Sequence, residues 1–158
     1  MLILHAGFPA ALEGTAAIAR VWPGRARRTR EGGIVQWLAR GERRCRQVYG
    51  ASYPRLVANV RALNPDLAVM MLEQGYGRVL SRPGLSARVR ELVAVTVLAA
   101  GGWERQLVSH LLGAARLGAS RSEIRSAWRI GLARADRTIR GAGERAWGTA
   151  FRSAMRVR

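Results

Sequence analysis

Residues 90–111, RELVAVTVLAAGGWERQLVSHL, decide how this chain folds. Apolar residues recur at helical spacing on both sides of Gly101-Gly102, and the two glycines mark a break between helices. The segment therefore predicts a helical hairpin with Glu91 on its first helix and His110 on its second. Because a tight connection makes the helices antiparallel, the two side chains are able to approach each other. The chain has only one other histidine, His5.

The rest of the chain also favours helices, because no sustained period-two alternation is present. We expect a compact all-α domain of about 6–8 helices that spans residues 1–158. Asn64 and Pro65 are typical of a helix start, and Ser120 with Glu123 matches a capping box. The expected helices cover residues 10–21, 34–49, 53–63, 64–81, 86–100 and 103–117. A further helix begins at the capping box, and the last one covers 136–155 with an interruption near 141–143. Residues 25–33 form the only plausible hinge.

Composition limits the function classes. The net charge of +17 comes with 27 basic residues, all of them arginine. Such a surface is able to bind phosphates, but the arginines are scattered through every segment, so nucleic-acid binding stays an alternative and not the leading hypothesis. The lone Cys45 excludes an internal disulfide and a CxxC pair. No apolar run approaches the roughly 20 residues of a membrane span, and the start reads poorly as a secretory signal, so we expect a cytoplasmic protein.

The Glu91–His110 pair has two interpretations. In an apolar cavity, a carboxylate beside an imidazole is able to transfer protons near neutral pH. Alternatively, Glu91 forms a salt bridge with Arg88 or Arg90, and His110 is a hydrogen-bonded core residue. One Glu and one His are too few ligands for a zinc site, so we expect neither metal nor cofactor.

Short motifs over residues 64–132 resemble the carboxymuconolactone decarboxylase family, which also contains the alkylhydroperoxidase D peroxidases. The matching motifs are Tyr76–Ser86, Arg90–Leu92, Gln106–Leu107, Ser109–Ala114, Gly118–Ser120 and Glu123–Ile124. The resemblance implies an all-α fold whose subunits assemble into trimers or hexamers, with sites near the subunit contacts.

The departures from the family pattern narrow the activity. Peroxidase members carry two cysteines between the Glu and the His, and this chain has Trp103 and Gln106 at those positions. Neither an indole nor an amide replaces the thiolate that reduces a peroxide, so we predict that the protein is not a thiol peroxidase. The decarboxylase branch has no need of cysteine and retains the His, although it more often carries a Ser-like residue where this chain has Glu91.

The decarboxylase branch acts on lactone carboxylates, and this implies a small acidic or lactone-type substrate. An arginine is able to grip such a carboxylate in a bidentate way. Arg82, Arg88 and Arg90 flank the motif and are the candidates, with a structural role for Arg82 equally open. Trp103, Gln106 and Tyr76 either line the substrate site or pack in the core.

The order of the motifs is also unusual. Family members carry a segment similar to His5–Leu12 near the C-terminus, whereas here it stands at the start. A circular permutation, with residues 1–21 in the place of the usual last helix, explains this order, and an N-terminal arm docked on a neighbouring subunit is the alternative. In either case His5 is a candidate for the site. The leading hypothesis is a cofactor-free, lyase-type acid–base enzyme, and the main alternative is a non-catalytic helical binding protein.

Overall fold

The computed structural model describes residues 2–24 and 32–152. Within these ranges the chain is helical and has no strand, which confirms the all-α prediction. The helices are α1 Leu2–Val21, α2 Ile34–Tyr49, α3 Tyr53–Leu63, α4 Pro65–Met70, α5 Ala87–Ala100, α6 Glu104–Arg116, α7 Arg121–Leu132 and α8 Arg137–Arg152. Helix α4 continues into a π-helix at Met71–Val79. Most of the expected hinge, residues 25–31, lies outside the described residues.

The predicted hairpin is present as α5 and α6. Gly102 has a φ of 69°, a left-handed conformation that glycine adopts without strain. The backbone N–H of Trp103 donates to the carbonyl of Leu98 at 3.1 Å and satisfies one of the terminal carbonyls of α5. Glu91 precedes this turn by about 15 Å of helix and His110 follows it by about 12 Å, so the two residues lie at nearly the same height.

Both predicted helix caps are confirmed. The side chain of Asn64 accepts a hydrogen bond from the Leu67 N–H at 2.9 Å. Ser120 and Glu123 form the reciprocal capping box at the start of α7. The predicted interruption of the last helix is wrong, because α8 runs through residues 141–143. A Cβ at Gly143 would lie 2.9 Å from the Leu132 side chain, so a glycine there serves the close approach of α7 and α8.

The N-terminal helix differs from the prediction in its start and shape. It begins at Leu2 and is kinked at Gly7, which has a φ of 78°. The Leu2 side chain approaches Gly14, so the chain turns back at the kink. By length and a mean hydropathy of 1.3, α1 meets the criterion for a membrane span, as core helices and N-terminal signal sequences also do. The expectation that no apolar run approaches the length of a membrane span was wrong.

The segment after α4 departs from the predicted α-helix over residues 64–81. From Met71 it is a π-helix, in which the Leu80 N–H donates to the Gly75 carbonyl at 2.9 Å, five residues earlier. This segment packs directly on the backbone of α2. A Cβ on Gly41 would lie 1.9 Å from the Leu72 carbonyl oxygen. The close contact fixes the position of the π-helix, a geometry that is frequent at functional sites.

Two groups of buried side chains stabilise this arrangement. The larger group joins α5, α6, α7 and α8, and the smaller joins α2 to the π-helix. Cys45 and Val48 of α2 are fully buried in the smaller group, and Leu107 and Leu111 of α6 in the larger. Helix α6 therefore lies between the two groups, and its His110 faces the space beside the π-helix.

Candidate active site

Glu91 and His110 form a buried hydrogen-bonded pair. His110 Nδ1 lies 2.8 Å from Glu91 Oε2, and the side chains are only 6% and 1% exposed. When the carboxylate is ionised it only accepts, and Nδ1 is then the donor in this bond. The bond orients the imidazole and leaves Nε2 as the nitrogen available to a ligand. The side chains of Glu91 and His110 are therefore in direct contact, as the predicted hairpin allows.

Both arginines that the sequence offered as partners of Glu91 make contacts elsewhere. Arg88 forms an ion pair with Glu123 on α7. The Arg90 guanidinium donates to the backbone carbonyls of Arg82 at 2.5 Å, Pro83 at 3.2 Å and Val79 at 3.3 Å. Arg90 therefore fastens the loop before α5 to the helix.

Gly113 leaves room for the Glu91 carboxylate, and the nearby Cys45 thiol is not activated as a nucleophile. A Cβ on Gly113 would lie 2.8 Å from Glu91 Oε2, so the glycine provides the space that the carboxylate occupies. Cys45 is fully buried, and burial together with the charge of Glu91 raises its pKa to about 12. A thiol with such a pKa stays protonated at neutral pH and is a poor nucleophile.

His5 lies against His110. The two rings meet edge to face with their centroids 5.5 Å apart. Burial and the neighbouring His110 lower the pKa of His5 to about 4, so the ring is neutral at pH 7. Its Nε2 is buried and has no hydrogen-bond partner among the described residues. The N-terminal helix thus covers the Glu91–His110 pair with an uncharged imidazole from the same chain.

We expect His5 to make the protein less stable in acid. As pH falls from about 6.5, the unfolded His5 takes up a proton, while the folded one resists protonation until about 4. Proton binding therefore favours the unfolded state, and stability is lost between these values. From pH 7 to pH 5 the loss is roughly 2 kcal/mol. In the His5→Phe variant, the free energy of unfolding, measured with denaturant at pH 7 and pH 5, should fall by less than in the wild type, and the difference should be about that amount. Equal losses in both proteins would contradict the assignment.

A cavity of about 460 Å³ opens beside His110. The residues that line it come from six helical segments: Leu4 and His5 of α1, Tyr49 of α2, Val60 of α3, Leu67 and Met70 of α4, Met71, Gln74, Gly75 and Tyr76 of the π-helix followed by Leu80, and Gln106 and His110 of α6. The volume is in the range of small-molecule sites. The π-helix supplies the largest share of the wall.

Two tyrosines form the polar wall next to the histidines. The rings of Tyr49 and Tyr76 meet edge to face, 6.2 Å apart. Burial raises the pKa of Tyr49 and raises that of Tyr76 well above its ordinary value. Both hydroxyls therefore stay protonated at neutral pH, and they are hydrogen-bonded to each other. Because a hydroxyl has one proton, a ligand oxygen that accepts from one of them competes with this bond.

The structure brings some of the sequence candidates together and leaves others apart. His110, His5, Tyr76 and Gln106 line the cavity, and Glu91 lies directly behind His110. Arg82, Arg90 and Trp103 are not among the lining residues. Trp103 is the residue before α6 and is 56% exposed, so it is neither core nor cavity wall.

Sequence reasoning missed Tyr49, Gln74 and Met70 as parts of the cavity wall. Tyr49 is the last residue of α2, and no motif links it to Glu91 or His110. Gln74 and Met70 lie in a stretch that matches a plain amphipathic helix. The change to π-helical geometry alters which residues share a face, and no residue pattern in this stretch signalled the change.

The fold and the site define an all-α protein with a carboxylate–imidazole pair at the wall of a small-molecule cavity. A sequence profile of the carboxymuconolactone decarboxylase family matches residues 65–156, more than half of the chain. The chain therefore belongs to the carboxymuconolactone decarboxylase family. The matched region contains Glu91, His110 and the π-helix, whereas α1 with His5 lies outside it. No protein of curated function matches the sequence.

Proposed function

We propose that this protein is a cofactor-free acid–base enzyme of the decarboxylase-like branch, acting on a small carbonyl compound such as a lactone. The 2.8 Å contact between His110 and Glu91 at the cavity wall is the observation that carries the proposal. A buried carboxylate behind an imidazole holds the ring in one tautomer and stabilises the imidazolium that forms when the ring takes a proton. His110 is then the general base, and Glu91 orients it.

The chemistry follows from the remaining wall. His110 Nε2 removes a proton from the carbon next to the carbonyl, and the electron pair of the broken C–H bond moves to the carbonyl oxygen as an enolate. Hydrogen-bond donors placed at such an oxygen lower the barrier. The Tyr76 hydroxyl and the Gln106 amide supply donors on the cavity wall. Return of the proton from the imidazolium to the same carbon gives hydrogen exchange, and its delivery to a different carbon of a conjugated enolate completes an isomerisation.

Exchange of carbon-bound hydrogen in D2O tests this function without knowledge of the natural substrate. The protein is incubated with a panel of γ-lactones, β-keto esters and simple ketones, and deuterium incorporation is followed by NMR. We expect exchange next to the carbonyl of at least one compound well above the buffer rate. Binding without exchange across the panel would favour the non-catalytic binding protein.

We also propose that the protein is a homo-oligomer, a trimer or a hexamer. Large apolar side chains are exposed on α1 and on the α3–α4 corner: Phe8, Leu12, Ile18, Leu63, Leu67 and Val69. Exposed apolar surface of this kind is typical of subunit contacts. Light scattering should give three or six times the chain mass of 17.3 kDa. The double variant Phe8→Glu, Leu12→Glu should dissociate, and a monomeric wild type would contradict the proposal.

A further inference from the structure

The cavity beside His110 is lined by a polar group of residues, here called its polar or histidine end, and by an apolar group. The polar end consists of the two histidines, Tyr49, Tyr76 and Gln106. Apart from Gln74 and Gly75, the other lining residues are hydrocarbon or thioether side chains: Leu4, Val60, Leu67, Met70, Met71 and Leu80. A ligand that fills such a space gains from burying apolar surface, and most of the polar partners for its polar group lie at the histidine end, with Gln74 as the exception.

The charge of the cavity wall contrasts with the charge of the chain. Although the chain has 27 basic residues, no arginine is among the residues described as lining this cavity. Arg88 pairs with Glu123, and Arg90 donates to the loop carbonyls. His5 is neutral at pH 7 because of its lowered pKa. A carboxylate that enters the apolar part would therefore lose its hydration without gaining a cation from the described lining residues, and the nearest arginine contact to that lining is the 3.5 Å bond from Arg78 to the Gln74 side chain.

We propose that this cavity selects an uncharged, largely apolar carbonyl compound, such as an alkyl ketone or an alkyl-substituted lactone, over a carboxylate. The inference rests on the proposed function, because that function places the reacting carbonyl at the histidine end. It departs from the small acidic substrate that the family resemblance implies. The carbonyl accepts from the tyrosine and glutamine donors, and the alkyl chain lies along the leucines and methionines.

A matched pair of ligands tests the preference. 2-Heptanone and 6-oxoheptanoate share the methyl ketone. 6-Oxoheptanoate has a carboxylate where 2-heptanone has its terminal methyl group. Calorimetric titration of the full-length chain at pH 7.5 should show 2-heptanone binding at least tenfold more tightly. Equal binding, tighter binding of 6-oxoheptanoate, or no binding of either compound at millimolar concentration overturns the proposal.

A variant at the rim of the cavity should reverse the preference. Met70 lines the cavity and is 57% exposed, so Met70→Arg introduces a cation at the apolar end with little cost to folding. We expect 6-oxoheptanoate to bind this variant at least tenfold more tightly than the wild type. Ile130→Arg is the control, because Ile130 on α7 is also an exposed apolar residue, does not line the cavity and is not among the residues of the proposed subunit contact. An equal gain in both variants overturns the proposal, since general surface charge then explains it.

The outcomes separate the ligand class from the reaction. Suppose that 2-heptanone binds with the expected preference but no panel compound exchanges deuterium. This result contradicts the proposed reaction and supports the proposed ligand class. Preference for 6-oxoheptanoate, together with exchange that depends on His110, overturns the ligand class and keeps the reaction.

Discussion

Replacement of His110 by alanine should reduce deuterium exchange to the buffer rate. The variant removes the only imidazole that is hydrogen-bonded to Glu91, and a positioned general base contributes about 10²- to 10⁴-fold to proton transfer. Glu91→Gln should lower the rate by a similar factor, because the amide does not stabilise the imidazolium and is able to favour the wrong tautomer. The measurement is the exchange rate of the best compound of the panel, with circular dichroism as the check on folding.

Glu104→Gln is the matched control for this prediction. It makes the same chemical change on the same hairpin, but Glu104 forms a surface ion pair with Arg145 and does not line the cavity. Surface ion pairs contribute little to stability, so this variant should retain the wild-type exchange rate. Full exchange activity in His110→Ala would refute the proposed mechanism.

Replacement of Gly41 by alanine should have the largest effect on stability. The new Cβ would lie 1.9 Å from the Leu72 carbonyl oxygen and 2.8 Å from the Gly77 nitrogen, both of them backbone atoms of the π-helix. Backbone atoms yield less easily than side-chain ends, so the two segments must separate. We expect a loss of about 3 kcal/mol, the upper part of the usual range for overpacking. For a chain of this length, that corresponds to a drop in Tm of roughly 6–12 °C.

Gly141→Ala is the control, since it places the same methyl group in the middle of α8. Its nearest neighbour there is Arg145 Nη1 at 3.4 Å, the flexible end of a side chain. The higher helix propensity of alanine should leave this variant unchanged or slightly more stable. Thermal unfolding of the three proteins measures the difference. The Gly41 variant should also bind 2-heptanone less tightly, because the π-helix supplies the largest share of the cavity wall. A wild-type Tm would disprove the packing argument.

The local signals in the sequence predicted much of the fold. Spacing of apolar residues marked α2, α3, α5 and α6 with boundaries close to the observed ones. The caps at Asn64 and Ser120 were found because they depend only on neighbouring residues. The errors at α8 and at the π-helix have a different origin. There, contacts with distant segments decide whether glycines break a helix and which residues share a face.

By itself, the sequence determined the helical class and the hairpin of residues 90–111, and it predicts that the protein is not a thiol peroxidase, because each of these depends on residue type at short spacing. Only the tertiary structure decided which groups meet. It placed His5 on His110, although 105 positions separate them, and it brought Tyr49 to the same wall. It also directed the Arg90 guanidinium to loop carbonyls and left the cavity without arginine among its described lining residues. Long-range contacts arise from the packing of whole helices, which no local pattern encodes.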